Sequence, residues 1–225
     1  MTFLAQAWAI LAKDLLAEWR TRERLSTMAF FVLLVILVFN FSFKLGGAAL
    51  HEIGPGVLWS AFVFASLFGL QRSFAVENEN RCLDGLLLAP MDRSAIYLGK
   101  MLGNLVFLLA VELLSLPFFA LFFNLAPGLY LLPLAAVFFL GATALAAVGT
   151  LFAAMCSNQR LRELLLPLLL LPTVVPVLVP CIEATAVVLR QDPLDQLGPL
   201  LRLMAAYDAV FIALALLLFD FVVEE

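Results

Sequence analysis

Few side chains here could do chemistry, and the most telling are carboxyls and amides set in apolar runs. Glu112 lies near the middle of Leu98–Phe123, a stretch otherwise almost free of charge. An ionised group in such a run is expensive, so this carboxyl must face the protein interior or carry a proton. Two readings fit it: a polar contact in a transport path or subunit interface, and a neutral, hydrogen-bonded carboxyl that helps helices pack. Asn104 precedes it by eight residues, about two helical turns, and so falls on a similar face. Asp208 sits towards the outer end of the last apolar run, where it can reach the interface. Cys82, Cys156 and Cys181 are isolated, odd in number and without a CxxC pair, which points to free thiols and away from a disulfide framework or zinc site. His51 is the sole histidine. With no HExxH and no serine at helical spacing from a histidine inside an apolar run, intramembrane proteolysis is disfavoured. No GxxxxGK[ST] loop occurs, so nucleotide chemistry must come from another chain.

The elements that position these groups are membrane helices. Apolar residues make up 64% of the 225-residue chain and charged residues 13%, against about 45–50% and about 25% in soluble domains. No linker divides the chain, so residues 1–225 read as one domain. A net charge of −4 and the absence of a basic tail argue against nucleic-acid binding. Six runs approach the roughly 20 apolar residues that cross a bilayer: Leu25–Phe43, Gly54–Leu70, Leu98–Phe123, Leu129–Met155, Leu164–Leu189 and Leu203–Val223. The first starts too late, behind a mixed segment, to be a secretory signal. Ten of the 13 Lys and Arg residues fall on the side that holds the N-terminal segment and the loops after spans two and four. That bias predicts both termini in the cytoplasm. The fifth run carries Pro172, Pro176 and Pro180 at intervals of four. Each removes a backbone donor, so this helix is expected to bend or break, as a moving part or as a static kink.

Two further segments predict helices that do not cross. In residues 1–24, Leu4, Trp8, Leu11, Leu15 and Trp19 repeat on one helical face, with Lys13, Asp14, Glu18 and Arg20 mostly off it. That pattern suits a helix lying on membrane lipid at the cytoplasmic surface, or one packed on a partner. Between spans two and three, the region from Gln71 to about Ala95 reads as a cytoplasmic loop. Within residues 74–90, Leu83, Leu86 and Leu87 recur at helical spacing beside Glu79, Arg81 and Asp84, and Pro90 ends the helix. Asp92 and Ser94 can cap the next one. A solvated loop fits this pattern, and so does a helix that docks in a groove of a soluble partner.

Several features in order resemble a known family: "PGVLW" at Pro55–Trp59, Gln71-Arg72 with Phe74, "LDGLLLAP" at Leu83–Pro90, Gly99-Lys100, Pro117, "LPTVVP" at Leu171–Pro176 and the ending "LLLFDFVVEE". The chain is similar to the permeases of ABC-2 type exporters, and more closely to the heme exporter protein B family of the cytochrome c maturation system. Gln71 stands where that family usually shows an acidic residue. The resemblance implies an all-α integral membrane permease with an N-terminal cytoplasmic interfacial helix, six transmembrane helices and a coupling helix at 74–90. It implies placement in the bacterial inner membrane. It also implies docking of a separate cytoplasmic ABC ATPase on the coupling helix, through Glu79, Leu83, Asp84, Leu86 and Leu87. The other implied partners are a second heme-handling membrane subunit, a small accessory protein and a heme chaperone. The chain is then not an enzyme but a permease that couples ATP hydrolysis to heme export or to release of heme-loaded chaperone. An ABC-2 permease exporting a lipid-linked sugar or drug is the alternative. Heme would be a handled substrate: with no CxxCH, none is bound covalently. His51 becomes a candidate axial ligand, although a lone histidine in an outer loop is more often plain surface.

Overall fold

The computed structural model describes residues 2–43, 47–79, 92–122, 131–156 and 162–222. Among them lie seven α-helices and one short 3-10 turn, with no strand. The helices are α1 (Phe3–Thr21), α2 (Glu23–Phe43), α3 (Gly47–Glu79), α4 (Arg93–Phe122), α5 (Leu131–Cys156), α6 (Arg162–Arg190) and α7 (Leu197–Val222). The last six each contain a stretch long and apolar enough to cross a membrane, from Glu23–Ser42 through Leu194–Phe219. The all-helical, six-span expectation is met, with span ends shifted by a few residues.

The small residues of α5 explain why it sits at the centre. Its apolar window is 78% buried, against 17% for α2 and for α7, and every residue from Gly141 to Thr150 is buried or nearly so. Small side chains let helix backbones approach closely, which drives helix association where lipid removes the hydrophobic incentive. Gly141 takes the Trp59 ring of α3 against its backbone, where a Cβ would overlap the indole, and Gly149 takes Leu70 in the same way. Trp59, Phe62 and Phe138 meet edge to face at centroid separations of 5.6–5.8 Å. The Trp59 indole N–H donates to Thr185 Oγ1 of α6 (2.9 Å). The tryptophan of "PGVLW" is thus the buried pin between α3, α5 and α6.

Several local expectations change. Helix α3 does not stop at Leu70 but runs on to Glu79, so residues 71–79 are helical and not the start of a loop. Backbone hydrogen bonds satisfy a helix whether or not its side chains are apolar, so charge there did not imply a loop. His51 lies in helix α3, not in an outer loop. Helix α6 is uninterrupted across Pro167, Pro172, Pro176 and Pro180, so it does not break. The carbonyl that Pro167 frees, that of Glu163, instead accepts from Gln71 Nε2 (3.3 Å). A glutamine can donate there and an ionised carboxylate cannot. Steps of four residues drift about 40° around a helix, which carries the prolines from exposed Pro172 and Pro176 to buried Pro180.

Helix α1 turns sharply into α2 at Arg22, whose φ of 54° lies in the left-handed region. Glu18 fixes the corner twice. Its carbonyl accepts from the Arg22 N–H (2.7 Å) and its Oε1 from the Leu25 N–H in the first turn of α2 (2.8 Å).

Candidate functional site

Three groups of polar side chains stand out. The first ties α1 to the bundle. Lys100, 1% exposed, lies 2.9 Å from Asp14 Oδ2 of α1 and donates to the Ser73 carbonyl of α3 (3.5 Å). One residue earlier, Gly99 lets α1 close in: a Cβ there would stand 2.7 Å from the Ala7 carbonyl and 2.8 Å from the Ile10 Cβ. The paired Gly99-Lys100 is therefore a seat for α1. The buried face of α1 is Gln6, Ala7, Ile10 and Leu11. Leu11 leaves the expected outward stripe and packs inward, while Leu4, Trp8 and Trp19 remain 67–75% exposed. Near its start, Gln6 Oε1 accepts from the Asp92 N–H at the head of α4 (3.3 Å). Asp92 does begin that helix, its carbonyl accepting from Ala95 and Ile96. Ser94 does not cap; its hydroxyl donates to the Leu216 carbonyl of α7.

The second group is a buried chain across α2, α4 and α5. Arg24 Nη2 donates to Asn104 Oδ1 (2.6 Å), and Asn104 Nδ2 donates to Thr150 Oγ1 (2.7 Å). The guanidinium also sits over the Phe107 ring, 4.5 Å from its centroid. One guanidinium N–H is met by the amide oxygen and the ring offsets part of the desolvation, while the buried Nε of Arg24 has no partner among the described residues. In the sequence Arg24 stands out only as a charge that sets orientation, and Lys100 as such a charge and as half of the Gly99-Lys100 pair. Their burial was not visible, since Asn104 and Asp14, the partners that permit it, lie far away in the chain. The single available hint was the four-residue interval from Lys100 to Asn104, which puts both on one helical face.

The third group lies deeper. Glu112 is 1% exposed and Asp208 5% exposed, and none of their four carboxyl oxygens has a hydrogen-bond partner. Asp208 is eleven residues past the start of α7, about 16 Å along the helix, so it is interior and does not reach the interface. Asn104 is not grouped with Glu112; its amide is committed to Arg24 and Thr150. Glu112 instead shares its surroundings with Cys181 of α6, whose thiol lies within electrostatic reach of both Glu112 and Asp208. Among the described residues, no three His, Cys, Asp or Glu side chains are placed to hold a metal ion.

The expected docking residues Leu83, Asp84, Leu86 and Leu87 lie outside the described residues. Glu79 is the last residue of α3. What the structure supplies is their frame: α3 ends at Glu79 and α4 begins at Arg93, beside the Asp14–Lys100–Ser73 junction.

The fold and these sites define a polytopic helical membrane protein, with a buried ion pair where α1, α3 and α4 meet. The family described as CcmB protein matches residues 5–224, and the chain belongs to it. It is 33% identical to heme exporter protein B of Rhodobacter capsulatus over 171 residues, 76% of this chain and 78% of that one. It is 34% identical to heme exporter protein B of Paracoccus denitrificans with the same coverage. Against heme exporter protein B of Pseudomonas aeruginosa it is 30% identical, over 76% of each chain. The chain is a permease subunit, and ATP hydrolysis belongs to a separate polypeptide.

Proposed function

We propose that this chain is the membrane permease of an ATP-driven complex for heme export in cytochrome c maturation. The carrying observation is the family match along residues 5–224, supported by relatives named heme exporter protein B. In this reading residues 74–90 hold the contact for the cytoplasmic ATPase. Movement of that segment reaches the bundle through α3 and α4, and reaches α1 through the buried Lys100–Asp14 pair. Helix α1 lies in the lipid interface through Leu4, Trp8 and Trp19. Both termini face the cytoplasm of a bacterial inner membrane, on the Lys and Arg bias. A second heme-handling membrane subunit, a small accessory protein and a heme chaperone complete the assembly.

The test is purification of the tagged protein from its own host, with co-eluting subunits identified and heme absorbance recorded. Leu86→Asp is expected to abolish co-elution of the ATPase while the permease still inserts. ATPase recovery at the wild-type level would remove the docking role from this segment.

A further inference from the structure

We propose that Glu112 and Asp208 frame a small-cation site inside the helix bundle, occupied by a proton or an alkali-metal ion. Both carboxyls are more than nine-tenths buried and all four oxygens are without a partner. Buried polar groups in native proteins are almost always satisfied, and each exception requires an explanation.

Among the described residues, the hydroxyls on the neighbouring turns donate to backbone carbonyls. The Ser115 hydroxyl donates to the carbonyl of Glu112 itself (2.8 Å). The Tyr207 hydroxyl donates to the Thr173 carbonyl (2.7 Å), and the Thr185 hydroxyl to the Cys181 carbonyl (2.8 Å). The Asn104 amide is given to Thr150. Arg24 and Lys100, the buried cations, are engaged with Asn104 and Asp14. Helix α5, which packs against α4, α6 and α7, carries no ionisable side chain except Cys156 at its end. The titratable groups around the two carboxyls are therefore Cys181 and Tyr207, neither of which is a cation.

Among the described residues no side chain supplies a partner to these oxygens, so the group that satisfies them is sought outside the described residues, and burial limits its size. A basic side chain from a partner subunit would need an exposed carboxyl to meet, and neither is exposed. Without a third ligand set for it, a transition metal is disfavoured. A proton or a small monovalent ion meets both conditions. Both sites lie well inside their spans, where an ionisable group by default marks an ion or proton pathway.

The experiment uses the purified permease complex and N,N′-dicyclohexylcarbodiimide, an apolar reagent that adds to protonated carboxyls shielded from water. Modified residues are mapped by peptide mass spectrometry across a pH series, in sodium, potassium or choline chloride at equal ionic strength. Modification of Glu112 or Asp208 that is lost in sodium or potassium but retained in choline assigns an alkali ion. Modification that follows pH alone, whatever the salt, assigns a proton. Loss of the Glu112 adduct in Glu112→Gln, with a changed ion or pH response at Asp208, shows that the two carboxyls share one site. The wild-type readout stands even if a variant does not assemble. No modification at either residue, or modification indifferent to both pH and cation, would overturn the proposal and leave two inert packing carboxyls. Independent responses at the two positions would overturn the shared site.

Discussion

Gly99 and Lys100 are adjacent and hold α1 in different ways. The glycine removes the volume that would keep α1 away, and the lysine supplies an ammonium that pairs with a carboxylate on α1. Breaking a buried ion pair from one side leaves the other charge stranded, which costs more than removing both charges. The two partners are unequal here: Lys100 is 1% exposed, whereas Asp14 is 14% exposed and also 3.3 Å from Lys13. Asp14→Asn takes its carboxylate from a fully buried ammonium, whereas Lys100→Met leaves Asp14 within reach of water and of Lys13. We therefore predict that Asp14→Asn lowers stability more than Lys100→Met does. Thermal unfolding of the detergent-solubilised protein decides this; the reverse order would mean that the ammonium is neutralised elsewhere. Arg24 follows a related rule. Its planar group both donates to Asn104 and stacks on Phe107, so Arg24→Lys is not conservative. The predicted outcome is a lower unfolding temperature for Arg24→Lys than for wild type, read in the same assay. An unchanged temperature would reduce this group to a point charge.

Among the elements, α5 sets the packing of the others, and its glycines decide how close they come. The Trp59 ring occupies the space where a Gly141 side chain would begin. Gly141→Ala therefore overpacks the α3–α5 contact, with an expected loss of about 2 kcal/mol. Trp59→Leu alone loses the aromatic contacts and the bond to Thr185, about 3 kcal/mol. In the double variant the alanine meets no indole, so the combined loss should fall well short of the sum. Unfolding of the four proteins measures the coupling, and simple additivity would refute the close contact. The spans themselves were legible because length and apolarity suffice to define a bilayer helix. The fifth run needed only small corrections at its ends, whereas the helix of the sixth starts at Leu197, six residues before Leu203. The continuation of α3 past Leu70 was not legible, because a polar helix outside lipid has no hydropathy signature. The α1 stripe was half legible. Leu4, Trp8 and Trp19 do face outward, but Leu11 serves the contact with α4, and one amphipathic pattern cannot say which part of an apolar arc meets protein. Glu112 was legible as an interior anomaly, whereas Asp208 read as a residue that reaches the interface, and the lack of partners at both depended on where α6 and α7 place their donors.

At the scale of the whole molecule, the buried cations and the ion pairs between helices lie at one end of the bundle among the described residues. Arg24, Arg72 with Glu23, Lys100 with Asp14, and the Gln71 bond to Glu163 all lie where α1, α2, α3, α4 and α6 have their neighbouring ends. The segment joining α3 to α4 attaches at this same end, so a load applied there passes first into tied helices and not into the apolar middle. The cysteines offer a direct test of which side this end faces. Cys156 and Cys181 are buried, so a hydrophilic maleimide added to the native protein should report on Cys82, which belongs to the joining segment. In intact cells the thiol is expected to stay unmodified. Once the membrane is permeabilised it should react, because the proposed orientation, argued from the ten-to-three distribution of Lys and Arg, has this end facing the cytoplasm. With the ATPase subunit bound, the reaction should slow again, because docking on residues 74–90 would cover the thiol. Modification of intact cells would reverse the orientation. Modification at the same rate with and without the ATPase would keep the orientation but move the docking surface away from Cys82. The two halves of the reading therefore succeed or fail separately.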